Sequence, residues 1–186
     1  GSFCFLLKSE LKKPMILICN HVDEEKSDFD NTIEQAKERF GRKVTVVQYP
    51  YNQGVDFNAI IDVHTMVMYQ FGADGGKPEK LPIPESEMAK AQQLHNELIE
   101  AIAENDEGLM EKFFEKGTLE EDEMVKGMML SIRHHELFPV FVASAKHNMG
   151  SGRIMGFIDK CCPSAAHMKP EKLTNGQDLP SNATNQ

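Results

Sequence analysis

The stretch Met15-Ile16-Leu17-Ile18-Cys19-Asn20-His21-Val22-Asp23 decides the fold. Its first five residues form an unbroken apolar run after Pro14, the pattern of a short strand buried on both faces. The next four turn polar almost at once. Ser27 then offers an N-cap; Phe29, Ile33, Ala36 and Phe40 recur at helical spacing, and Gly41 supplies a stop. Strand, polar loop and amphipathic helix in that order are the repeating unit of an α/β sheet.

The same order returns late in the chain. Phe138-Pro-Val-Phe-Val-Ala143 reads as a second doubly buried strand, closing in Ser144-Ala145-Lys146. A helix over Gly150 to Cys162 follows, with Ile154, Phe157 and Ile158 facing inward. Between the two units the pattern differs. Val44 to Tyr49 is a strand ended by Pro50, Phe57 to Val63 and Thr65 to Phe71 continue as a meander, and Gly72 to Pro84 reads as a Gly/Pro loop. Three helices come next. The first runs from Glu85 to Glu104 with Ala91, Leu94, Leu98 and Ile102 on one stripe; the second covers Glu107 to Glu115 and buries Leu109, Met110, Phe113 and Phe114. The third begins at Thr118, where Thr-x-x-Glu to Glu121 spells a capping box, and carries Met124, Met128 and Ile132 inward. Residues 1–43 and 136–163 therefore form one α/β unit, 44–135 an inserted α+β unit, and 164–186 a Pro-, Asn- and Ser-rich linker or tail. Phe3 to Lys12 reads as a frayed or truncated helix.

Composition narrows the function. The 186 residues carry 29 acidic and 20 basic side chains, a formal charge of −9, and 40% are hydrophobic. That is enough apolar material for a core, and an acidic balance argues against direct DNA binding, which needs positive patches. No apolar run approaches the ~20 residues that cross a bilayer, so no membrane partner is expected. Cys4, Cys19, Cys161 and Cys162 show neither a CxxC nor a zinc spacing and read as reduced thiols of a cytoplasmic protein. His134-His135 sit where a helix end favours histidine, and no metal site is expected.

The candidate chemistry lies at the two strand ends. In open α/β sheets ligands bind beyond the carboxyl ends of the strands, so Asn20 and Asp23 at one tip and Ser144-Ala145-Lys146 at the next can converge. An ionised Asp23 only accepts hydrogen bonds and so selects a donor pair such as guanine N1–H and N2–H2. Asn20 both donates and accepts, which suits a bridge between base and neighbouring loop; backbone N–H groups after Ser144 suit guanine O6. The same Asn-x-x-Asp spacing also serves ordinary turns and caps. On the first long helix, Glu97, Glu100 and Glu104 cluster away from the apolar stripe, and Glu107 extends this acidic ridge if the helix reaches it. Such carboxylates are either simply solvated or steer a basic partner.

Taken together, these motifs resemble the elongation factor G family of translational GTPases, over about residues 13–165. Asn20-His21-Val22-Asp23 stands where that family carries Asn-Lys-x-Asp, and Ser144-Ala145-Lys146 where it carries its Ser-Ala motif. Further markers fall inside the insert: Gln48-Tyr-Pro50, Phe57-Asn-Ala-Ile-Ile-Asp62, Ile83-Pro84, His95-Asn-Glu-Leu-Ile-Glu100 and Leu109-Met-Glu-Lys-Phe-Phe114. The resemblance implies a partial P-loop NTPase-type parallel sheet with an inserted α+β subdomain. It implies GTP/GDP as ligand, of which this chain holds only the guanine moiety, through Asn20, His21, Asp23, Ser144, Ala145 and Lys146. Magnesium is expected only in the intact parent. The implied partners are the ribosome, during translocation in protein synthesis, and the ribosomal stalk protein, met by Glu100, Glu104 and Glu107.

Two departures qualify that likeness. His21 replaces the lysine whose stem packs on the base, which points to a divergent paralogue. The phosphate-cradling string Gly-x-x-x-x-Gly-Lys-[Ser/Thr] is missing: Gly72-Ala-Asp-Gly-Gly-Lys77 is one residue short and runs into Pro78. No catalytic residue is assigned, and this chain is not expected to hydrolyse GTP. The rival reading is a non-enzymatic ribosome-interaction module whose nucleotide contacts have decayed.

Overall fold

The computed structural model describes residues 14–73, 75–104 and 106–162; the segment Phe3 to Lys12 and the tail from 163 onward lie outside the described residues. Along the chain come β1 (Leu17–Cys19), α1 (Phe29–Phe40), β2 (Val44–Val46), β3 (Gln48–Pro50), a 3-10 turn at Gly54–Asp56, β4 (Ala59–Asp62), β5 (Val67–Gly72) and β6 (Gly75–Leu81). They are followed by α2 (Glu85–Ala103), α3 (Glu107–Lys116), α4 (Glu121–Arg133), β7 (Phe138–Val142) and α5 (Ser151–Cys161). The strands form two sheets, a parallel one in the order β1-β7-β2 and an antiparallel one in the order β3-β4-β5-β6. The expected α/β class is borne out, with a parallel sheet and a separate antiparallel sheet.

Every residue of β7 is buried, as its unbroken apolar run requires for a central parallel strand. β1 does not share that environment. Among the described residues β1 stands at the margin of its sheet, and Ile18 there is 51% exposed. The strand read over Val44 to Tyr49 is really two. Val44–Val46 pairs in parallel with β7, although the sequence boundary put residue 44 at the start of the insert, and Gln48–Pro50 opens the antiparallel sheet. Val47 joins them: its N–H donates to Val140 O at 3.0 Å, and its carbonyl accepts from Val63 N at 3.0 Å.

Several local expectations shift for identifiable reasons. β6 occupies what reads as a loop, since Gly75, Gly76 and Pro78 are tolerated on a strand that no other described strand pairs beyond. Asp28, not Ser27, caps α1, accepting from Asn31 N at 3.0 Å, while the Ser27 hydroxyl donates to Val22 O at 3.0 Å. α4 starts at Glu121 rather than Thr118, because Gly117 ends α3 in the left-handed region and Leu119 turns into the core. Its capping box uses Glu120 and Glu123, the Glu120 N–H donating to Glu123 Oε2 at 3.2 Å. None of the four apolar residues expected to be buried on α3 is fully covered, and Phe114 is 79% exposed. On α5, Ile154 and Phe157 face the core but Ile158 sits on the outer surface.

α2 lays its buried stripe, now including His95 and Ile99, against α3 and α4. His95 is held inside by a 2.6 Å hydrogen bond between Nδ1 and Val63 O. Helix α5 covers the parallel sheet through Phe157, whose ring lies 4.6 Å from that of Phe141.

Candidate functional site

The parallel register aligns Cys19 with Val142, so the tips of β1 and β7 emerge side by side. One more backbone rung, Ala143 N to Cys19 O at 2.9 Å, carries the pairing past the strands. Beyond it the Asn20 side chain reaches across: its Oδ1 accepts the Ala145 N–H at 3.0 Å. The Ser144 loop is closed by reciprocal Ser144–Met149 backbone bonds, both 3.0 Å, and by His147 N donating to Ser144 Oγ at 3.3 Å. Ala145 and Lys146 are left exposed at the crest of the loop.

Asp23 is the unusual member of the group. Its side chain is only 6% exposed, Oδ2 lies 3.5 Å from His147 Nε2, and Oδ1 is buried with no hydrogen-bond partner among the described residues. Burial pushes its carboxyl up, but the Ser144 hydroxyl, its own backbone N–H and the positive fields of His147 and Lys146 outweigh that. The acid is held below the usual carboxylate range and is ionised at neutral pH. A buried anionic acceptor with an open lone pair is chemically prepared for an N–H donor.

The remaining residues do not all converge. His21 takes a left-handed backbone at φ 65° and turns its Nδ1 to Glu24 Oε1 at 2.9 Å, both side chains being largely exposed. Asn20 and His21 line a hollow of about 370 Å³ that also touches Asp28 and Thr32. Asp23 and His147 instead line a separate hollow of about 450 Å³, shared with Asn58 and Phe71. The strand tips thus meet through Asn20 and Ala145, while His21 and Asp23 face different spaces. His147 was missed in the sequence; its place directly after Lys146 on the same loop is the signal that would have found it.

The acidic ridge is also rearranged. Glu97, Glu100 and Glu104 border a hollow of about 450 Å³ floored by Ala101, Met110, Phe113 and Phe114. Glu104 is engaged by Arg42 Nη2 at 3.1 Å. Glu107 does not prolong the ridge, because α2 ends at Ala103 and Glu107 opens a new helix. There it follows Asp106, whose Oδ1 accepts from Gly108 N at 3.0 Å and Leu109 N at 3.2 Å.

Among the described residues no group of three or more His, Cys, Asp or Glu is placed to hold a metal ion, and no helix is long and apolar enough to cross a membrane. Burial raises the Cys19 thiol to about 11 and the Cys161 thiol to about 12.

An α/β chain whose adjacent parallel strands end in tied polar loops, with an α+β unit inserted between them, is of the class that places a ligand at strand tips. Within that class the chain is similar to named translation factors. It is 29% identical over 173 residues to elongation factor G of Mycoplasma genitalium, covering 91% of this chain and 25% of that protein. It is 28% identical over 152 residues to an elongation factor G-like protein of Thermotoga maritima, covering 82% of this chain and 21% of the other. The chain therefore spans a quarter or less of the length of the curated relatives it matches. A crystal structure of a Thermus thermophilus protein has the same fold, with a TM-score of 0.77 at 23% identity, over 89% of this chain and 24% of that one. No family model matches. The resemblance to elongation factor G read in the sequence is borne out over most of the chain.

Proposed function

We propose that this chain is the guanine-recognising part of a longer elongation factor G-like GTPase, a cytoplasmic factor that binds GTP or GDP and promotes ribosomal translocation. The observation that carries the reading is the hydrogen bond from Ala145 N–H to Asn20 Oδ1, which ties the two loops that would flank a purine. Asp23 supplies the anionic acceptor for guanine N1–H and N2–H2, Asn20 steadies the loop by taking the Ala145 N–H, and the backbone N–H of Lys146 faces O6. His21 takes the stacking position. The intact factor would bring the phosphate-binding loop and magnesium, and this chain contributes base selection without hydrolysis. The inserted unit, by the same likeness, meets the ribosomal stalk through the ridge of Glu100 and Glu104, with Glu107 at the start of the next helix.

Two observations favour a second reading. His21 is turned to Glu24, and Asn20 and Asp23 border separate hollows, which suits a ribosome-interaction module that has lost its nucleotide. Calorimetric titration of the intact factor with GDP, beside Asp23→Asn, separates the two. The guanine reading expects measurable binding that falls about a hundredfold or more in the variant, since a buried donor pair loses its anionic acceptor. Absence of binding in both retires it in favour of the module.

A further inference from the structure

We propose that one end of the antiparallel sheet braces both strand-tip loops, making Gly54 and Gly75 positioning residues that set the spacing of the groups around the base. The consequence for nucleotide affinity rests on the guanine reading above. In an antiparallel meander, alternate connections leave from the same end. Here those are the β3–β4 connection and the β5–β6 turn.

The first connection reaches the Asn20–Asp23 loop. Gly54, at φ 82°, donates its N–H to Val22 O at 2.9 Å, an acceptor also used by the Ser27 hydroxyl. Beside it Gln53 Oε1 accepts the Phe29 N–H at 2.8 Å, satisfying a free donor at the start of α1. The second connection reaches the other loop. Gly75, at φ 69°, lies flush on the His147–Asn148 backbone: a Cβ added there would come within 2.2 Å of His147 O and 3.1 Å of Asn148 O. Between the two contacts lies the hollow lined by Asp23, His147 and Gly72. Both of its loop walls are therefore positioned by one sheet, and a displacement of that sheet moves Val22 and His147 together. Anything docking on the inserted unit gains a mechanical route to the base-facing groups.

The test uses two neighbouring glycines. Gly75 and Gly76 both have positive φ, at 69° and 81°, but a Cβ on Gly76 meets nothing within 4 Å. Gly75→Ala and Gly76→Ala thus share the backbone strain and differ in the contact. The brace predicts that amide chemical shifts of Ser144–Met149 move in Gly75→Ala and hold in Gly76→Ala. In the intact factor it predicts that GDP affinity falls about tenfold or more in Gly75→Ala alone, since a small misplacement of a binding group is costly. Should Gly75→Ala fail to fold, Gln53→Ala tests the other contact through the shifts of Val22 to Phe29 and the same affinity loss. Equal loop shifts and equal affinities for the two glycine variants, or an unmoved loop in Gln53→Ala, overturn the brace. Selective loop shifts in a protein that binds no GDP support the brace and overturn the guanine reading.

Discussion

Arg153 Nη2 on α5 lies 3.2 Å from Asp62 Oδ2 on β4, tying the helix behind the Ser144 loop to the antiparallel sheet. The guanidinium also stacks over the Tyr69 ring, 4.3 Å from its centroid. Asp62 is nearly sealed from solvent and is further held by Gln48 Nε2 at 2.9 Å and Thr65 N at 3.0 Å. Removing the cation leaves a buried carboxylate short of a charged partner. Arg153→Ala should lower stability by about 2–3 kcal/mol, and Arg153→Lys should recover little, because an ammonium neither stacks nor forks in the same way. Equilibrium urea unfolding of the three proteins checks this.

Asn20→Ala removes the acceptor of the Ala145 N–H without disturbing the core. The expected cost is about 1 kcal/mol, with faster hydrogen exchange at Ala145 and Lys146 while the amides of β7 keep their protection. Exchange measured residue by residue by NMR decides it.

Gly127 sits inside α4, where alanine ordinarily stabilises a helix by about 1 kcal/mol. Here a Cβ would come within 2.2 Å of Ile102 Cγ2 and 3.0 Å of Leu109 Cδ1, at the point where α2, α3 and α4 meet. Overpacking should win, and Gly127→Ala is expected to destabilise by about 1–2 kcal/mol net. A rise in melting temperature would contradict that packing.

Burial holds the His64 imidazole below its ordinary value, against the opposing pull of Asp62 and Glu121. The unfolded chain therefore binds a proton as pH falls past about 6.5 while the folded one resists it. Stability should be full above that pH and decline below it, until the folded histidine also titrates. Asp23 acts in the same direction at lower pH, its contribution being lost as pH falls below about 4. Urea midpoints at pH 7.5 and 5.5, for the parent and for His64→Gln, should show the first drop shrinking in the variant.

With thiol pKa values of about 11 for Cys19 and about 12 for Cys161, neither side chain carries much thiolate at pH 8. Both should react with a thiol-specific reagent far more slowly in the folded protein than in denaturant, and mass mapping of the labelled sites reads this out.

How much of this was legible depends on what each residue answers to. The run of Phe138 to Ala143 betrayed its strand because a central parallel strand needs apolar groups on both faces. Met15 to Cys19 has the same composition but stands at the sheet margin among the described residues, and no local pattern distinguishes the two settings. Val44 to Tyr49 looks continuous because β propensity does not record which sheet a residue joins. The Asn20–Ala145 bond was readable as a chemical capability of asparagine; the separation of His21 from Asp23 was not, since it follows from a left-handed backbone at His21. Phe114 misled for a related reason: helical spacing gives a face, not what covers it.

Val47 has a larger consequence than its size suggests. Its N–H is bonded to the parallel sheet and its carbonyl to the antiparallel one, so turning one sheet against the other at this crossing strains the rung to Val140 or the rung from Val63. The two sheets are therefore pinned together at one residue, as by a key in a shaft, and surgery that removes the inserted unit must cut through the key.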